Sequence, residues 1–150
     1  MSTRESSADE DAEAIPEIIS GEEVQIDLDS LRGTEKVLVI ADVDRFRRIL
    51  TEMLEAHDYN VLLGINIRDG LDIFAHEKDK VGLVILDLSM PGVSSQELLA
   101  ELLAIDAQAQ VLIVTGYTTS SAAWIGARAI LNKPFNSHKL LHTVRKILDR

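Results

Sequence analysis

From residue 36 onward the apolar positions fall into two alternating patterns. Short continuous apolar runs recur as KVLVIA (36–41), NVLLGI (60–65), GLVILDL (82–88), QVLIVTG (110–116) and AILNKP (129–134). Runs of this kind, rich in Val and Ile, are what strands buried on both faces require. Between them the apolar residues spread out to helical spacing. Over 45–57, Phe46, Ile49, Leu50, Met53 and Leu54 stand at i, i+3, i+4, i+7 and i+8, on one helix face. Asp44 precedes them in the position of an N-cap. GLDIFAHEK (70–78) predicts a short second helix. Ser94 with Glu97 three residues on forms a capping box for a helix over 94–105. SSAAWIGA (120–127) supports a short helix at most. The last helix spans 137–148, with Leu140, Leu141, Val144, Ile147 and Leu148 on one face.

Five strand–helix units in succession predict an α/β fold: a doubly wound parallel sheet, (βα)5, with helices on both faces. Such sheets bind ligands at the carboxyl ends of their strands. Asp42 follows the first strand, Asp87 lies near the end of the third, Thr115 ends the fourth and Lys133 ends the fifth. No GxGxxG or GxxxxGK[ST] loop is present to cradle a nucleotide. Two carboxylates, a hydroxyl and an ammonium on one rim suit a divalent cation such as Mg²⁺ together with a phosphoryl group.

Charge changes this picture in one place. The chain has 150 residues and a formal net charge of −10, yet residues 1–35 carry 11 acidic and 2 basic side chains while the remainder is almost balanced. Ser6–Glu13 is nearly all Ser, Ala, Asp and Glu, too polar to offset its ordering entropy. We therefore divide the chain into an acidic, largely flexible N-terminal extension (1–35) and one domain (36–150). Within the extension, Val24, Ile26 and Leu28 alternate with polar residues. That pattern reads either as a loosely docked linker or as an extra strand or partner-binding peptide. The absence of cysteine excludes a disulfide framework and thiolate metal sites. No apolar run approaches the ~20 residues of a membrane span, and the N-terminus lacks the core of a signal peptide, so a cytoplasmic location is expected. A pI near 4.8 argues against nucleic acid or an anionic membrane as the main partner.

VLVIADVD, LVILDLSMPG, VLIVTGY and ILNKPF, in this order on these strands, resemble the receiver domain of two-component response regulators over residues 36–150. The resemblance implies a CheY-like, flavodoxin-like sheet in strand order 2-1-3-4-5. It implies that Asp87 is the phosphoacceptor, attacking a phosphohistidine on a histidine kinase or phosphotransfer protein. Asp42, Asp87 and the backbone carbonyl of Ser89 would hold Mg²⁺. Thr115 would donate to the phosphoryl group, and Lys133 would pair first with Asp87 and then with the phosphoryl oxygens. The Lys133–Pro134 bond is expected to be cis. Such a domain modifies only itself and signals by protein contact, so it is not an enzyme in the ordinary sense.

Three departures from the family pattern bear on function. Ala41 stands where the first of two adjacent acids is usual, so Mg²⁺ binding should be weakened. The fourth helix is about one turn short. Ile130 occupies the position of a switching aromatic. The last two fall on the usual signalling face and imply a divergent output. The alternative reading is a degenerate pseudo-receiver, an interaction or dimerisation module independent of phosphate. Tyr117 either shields the acyl phosphate or is a rim aromatic. Trp124 reads as a core residue, although an exposed sole Trp would be a dimer anchor, leaving a homodimer open. His138 and His142 (i, i+4) lack a visible third ligand, His57 and His76 stand alone, and Arg45, Arg47 and Arg48 form a solvated or tail-docking face. The chain ends just past the last helix, as expected of a stand-alone receiver or a fragment of a longer protein.

Overall fold

The apolar runs all become strands of one sheet. The structure, a computed structural model, describes residues 15–19, 28–88, 93–116 and 121–149. In chain order the elements are β1 (Glu17–Ile19), β2 (Lys36–Ala41), α1 (Asp44–Glu55), β3 (Asn60–Gly64), α2 (Ile67–Glu77), β4 (Val81–Asp87), α3 (Val93–Ile105), β5 (Val111–Thr115), β6 (Ala129–Asn132) and α4 (Ser137–Leu148). Short 3-10 helices cover Leu28–Leu31 and Ser121–Trp124. The six strands are all parallel, in the order β1-β6-β5-β4-β2-β3. Without β1 this is the expected 2-1-3-4-5 order.

Both faces of the sheet are covered, as the continuous apolar runs require. Val37, Val39 and Ala41 face a core formed with Leu50 and Leu54 of α1 and Leu140, Leu141, Val144 and Ile147 of α4. Leu38 and Ile40 face the opposite core, with Phe74 of α2, Leu98 and Leu102 of α3, and Trp124. The two-residue period of a strand thus splits one sequence run between two cores. Because every strand is parallel, all carboxyl ends open on the same rim. The register places Ala41 beside Asp87 and Thr115 beside Asn132 there.

Two helix starts differ from the sequence expectation. Asp44 is not a cap: α1 begins at Asp44, Val43 holds the N-cap position, and no side chain caps the helix. Arg47 and Arg48, at i+3 and i+4, compete for the Asp44 carboxylate, with Arg47 at 3.1 Å. The second helix starts at Ile67, three residues before the expected start, because Asn66 accepts a hydrogen bond from Asp69 N at 2.8 Å and Asp69 accepts one from Ile65 N at 3.0 Å. That reciprocal cap precedes the apolar pattern and so escaped it. The proposed Ser94 cap lies outside the described side chains.

The extension contributes to the fold on both sides of residue 19. The extra strand comes from Glu17–Ile19, whereas Val24 and Ile26 lie outside the described residues, as does the Ser6–Glu13 segment. Glu17, Ile18 and Ile19 pair with Ala129, Ile130 and Leu131. Ile19 packs against the first core, and Glu17 accepts a hydrogen bond from Lys146 at 2.8 Å. Leu31 is buried, and its carbonyl accepts a hydrogen bond from the Tyr59 hydroxyl at 3.2 Å. Arg145 of α4 binds both oxygens of Glu35, at 2.8 and 3.1 Å, and holds that carboxyl below its ordinary pKa. Among the described residues, 15–19 and 28–35 thus lie against the sheet and α4. Among the described residues no helix is long and apolar enough to cross a membrane.

The β3–α2 connection depends on close backbone approach. A Cβ on Gly64 would lie 2.8 Å from Gly70 Cα. We expect Gly64→Ala to destabilise the fold by about 1–3 kcal/mol through overpacking. A lowered urea midpoint with an unchanged slope would show it; an unchanged midpoint would contradict this packing.

Candidate functional site at the carboxyl rim of the sheet

Asp87 is the last residue of the central strand β4, flanked by buried neighbours on both sides, and is only 1% exposed. A carboxylate so placed has lost most of its hydration and needs a compensating charge. Lys133 supplies it. The chain leaves β6 at Asn132, and the Lys133 amide donates to the Thr115 carbonyl at 2.8 Å. The side chain then reaches back along the rim, placing Nζ 2.8 Å from Asp87 Oδ1. That approach closes an ion pair on a carboxylate oxygen that is itself cut off from solvent.

Burial pushes the Asp87 carboxyl above its ordinary pKa; Lys133 opposes the shift, and the nearby Asp42 charge adds to it. Asp42 itself lies one residue past β2 and is exposed, so the two carboxylates differ in environment. Thr115, at the end of β5, is buried on the same rim. The structure thus brings Asp42, Asp87, Thr115 and Lys133 to one edge. Ser89 and Tyr117 lie outside the described residues. Lys133–Pro134 is cis, as expected.

These donors fit a hard cation. Mg²⁺ typically takes one or two carboxylates and keeps several waters or phosphate oxygens in its remaining positions. Asp42 and Asp87 supply that number, two hard oxygen donors at the ends of the adjacent strands β2 and β4. Ala41 leaves this pocket without a third carboxylate: it is wholly buried beside Asp87, and no group of three or more metal-ligating side chains exists among the described residues.

Other candidates resolve differently. His57 and His76 each donate Nδ1–H to a backbone carbonyl one turn back. His138 and His142 are half-buried on α4 and belong to no three-ligand group among the described residues. Arg47 donates to the Ala41 carbonyl at 2.6 Å and Arg48 pairs with Asp44, so these two arginines brace the start of α1. Trp124 and Ile130 are buried in the second core. One rim residue was missed. Phe46 reads as helix core by its spacing, yet the Lys133 ammonium sits 3.5 Å from its ring centroid. With Ile49, Leu50, Met53 and Phe135 it walls a pocket of about 450 Å³ that opens on Asp87 and Lys133. Its position in the first turn after a strand end was the available signal.

Comparison with known proteins agrees with this geometry. A family model described as the response regulator receiver domain matches residues 37–145. The transcriptional regulatory protein YkoG of Bacillus subtilis is 32% identical over 116 residues, covering 75% of this chain and 50% of that protein, so the chain spans about half of its length. Sporulation initiation phosphotransferase F of the same organism is 30% identical over 118 residues, covering 76% of this chain and 94% of that one. Among solved structures, a receiver domain protein of Clostridium thermocellum superimposes with a TM-score of 0.71 at 28% identity, over 77% of this chain and 95% of that one. The Thermotoga maritima response regulator TrrA, in complex with Mg²⁺-BeF, gives a TM-score of 0.66 at 28% identity, over 76% and 99%.

A carboxyl whose pKa folding raises favours the folded state when protonated. Its contribution is full below the unfolded-state value and is lost as pH rises through the folded value. We therefore expect Asp87→Asn to melt higher than the wild type at pH 7, by about 2–4 °C for each kcal/mol relieved. The gap should close as pH falls below the ordinary carboxylate value of 3.8. A variant melting lower than the wild type at pH 7 would contradict the burial cost.

Proposed function

The chain belongs to the response regulator receiver family, and from that premise we propose that it accepts a phosphoryl group on Asp87 and signals by protein contact. The observation supporting this reading is the buried Asp87 carboxylate, ion-paired to Lys133 at 2.8 Å on the rim it shares with Asp42 and Thr115. The donor is a phosphohistidine on a histidine kinase or phosphotransfer protein. An Asp87 oxygen attacks phosphorus, an O–P bond forms, and the N–P bond breaks with its electron pair returning to the imidazole. Lys133 balances charge on the phosphoryl oxygens, and the Thr115 hydroxyl donates to them. Asp42 and Asp87, with the Ser89 carbonyl, would hold Mg²⁺, which supplies charge neutralisation at those oxygens when bound. Placement and electrostatics suffice for this transfer. The domain would turn over no external substrate and would act in the cytoplasm on a downstream protein, without a membrane or nucleic acid as its main partner.

Ala41 favours a second reading, in which the domain is a pseudo-receiver whose pairing with itself or a partner needs no phosphate. Acetyl phosphate with Mg²⁺, followed by intact mass, separates the two. We expect a phosphoryl adduct on the wild type and none on Asp87→Ala. No wild-type adduct, with a cognate kinase also failing, would leave the second reading. The weakened metal pocket has its own test. Restoring the acid with Ala41→Asp should lower the Mg²⁺ concentration for half-maximal Trp124 fluorescence change by roughly tenfold or more, the scale of outer-shell effects on metal affinity. Equal midpoints in the two proteins would remove the role given to Ala41.

A further inference from the structure

Phe46 takes part in no step assigned above, yet it contacts the central ion pair. The Lys133 ammonium lies 3.5 Å from its ring centroid and 2.8 Å from Asp87 Oδ1, so one cation is shared between a π face and a carboxylate oxygen. Oδ1 is closed off from solvent, so the ammonium is held between two partners. The ring is itself held. Phe46 sits in the first turn of α1, and the Arg45 guanidinium also lies over it, at 5.0 Å. A cation is drawn to an aromatic face by the ring quadrupole, an attraction that an aliphatic side chain of similar bulk does not offer.

We propose that Phe46 is a positioning residue for phosphorylation. Its ring holds the Lys133 ammonium in place beside Asp87. The same contact stations the ammonium where it meets the incoming phosphoryl oxygens. The proposal rests on Asp87 being the phosphoacceptor and adds a control over its readiness. A Leu at position 46 keeps the apolar wall of the pocket but lacks the π face, so Lys133 would lose one of its two anchors. A Tyr keeps the face. If Phe46 served only to pack α1, Leu and Tyr would both leave the site unchanged.

The test uses the full chain with Phe46→Leu and Phe46→Tyr and two readouts. One is the NMR chemical shift of the Lys133 ε-methylene, which a ring stacked beneath it moves upfield. The other is the rate of adduct formation from acetyl phosphate at saturating Mg²⁺. We expect wild type and Phe46→Tyr to show the upfield ε-methylene and similar rates. Phe46→Leu should show an ordinary lysine shift and a rate between about twofold and thirtyfold lower, the range spanned by cation–π energies. A wild-type rate in Phe46→Leu, or a Phe46→Tyr as slow as Phe46→Leu, would overturn the proposal. A wild type that forms no adduct would instead sink the phosphoacceptor reading. The ε-methylene shift would then decide alone: an upfield signal lost in Phe46→Leu supports the positioning of Lys133, and an ordinary wild-type signal overturns it.

Discussion

The ion pair between Asp87 and Lys133 is the constraint around which the rim is organised. A carboxylate at the end of a central, doubly covered strand cannot be hydrated, and the fold carries that cost at one position. Compensation must come from a charge that reaches the same point from another strand. Only a parallel sheet, whose carboxyl ends coincide, delivers Lys133 there from β6. The balance is incomplete, since burial still raises the Asp87 pKa against the pull of Lys133. A buried, under-compensated carboxylate is a poor source of stability and marks a candidate functional site.

The surroundings of that pair differ in how firmly they are built. On the side of β2, Ala41 removes a carboxylate and Asp42 stands exposed, so the metal side of the rim is sparse. On the side of α1, Arg45 and Lys133 both lie over the Phe46 ring, and Arg47 is tied to the Ala41 carbonyl. At the β6 edge the extension adds β1, and among the described residues the segment after β5 carries a 3-10 turn ending at Trp124. The rim around Asp87 thus keeps its carboxylates, hydroxyl and ammonium, while the β6 edge gains a strand.

Most of the sheet was legible from the sequence because a strand buried on both faces leaves an unmistakable apolar run. Asp87, Thr115 and Lys133 could be placed on the rim for the same reason: each sits at or just past the end of such a run. What escaped was set by polar geometry rather than by hydrophobic spacing. Asp44 fits a cap pattern but is taken by Arg47 and Arg48. The Asn66–Asp69 cap starts its helix one turn ahead of the GLDIF run that marks it in the sequence. Glu17–Ile19 is too short to alternate visibly, so the extra strand was sought at Val24–Leu28 instead. Phe46 was hidden by its own regularity, since a helical spacing accounts for it without reference to Lys133.

In the proposed function Asp42, Asp87, Thr115 and Lys133 act together on one phosphoryl group. Beryllofluoride, which mimics an acyl phosphate on a carboxylate, tests that directly when added with Mg²⁺ to the uniformly ¹⁵N-labelled chain. The account predicts saturable amide shift changes centred on Asp87, Thr115 and Lys133, reaching Asp42, and absent in Asp87→Ala. Unchanged spectra at millimolar beryllofluoride and Mg²⁺, or changes of equal size in Asp87→Ala, would contradict it.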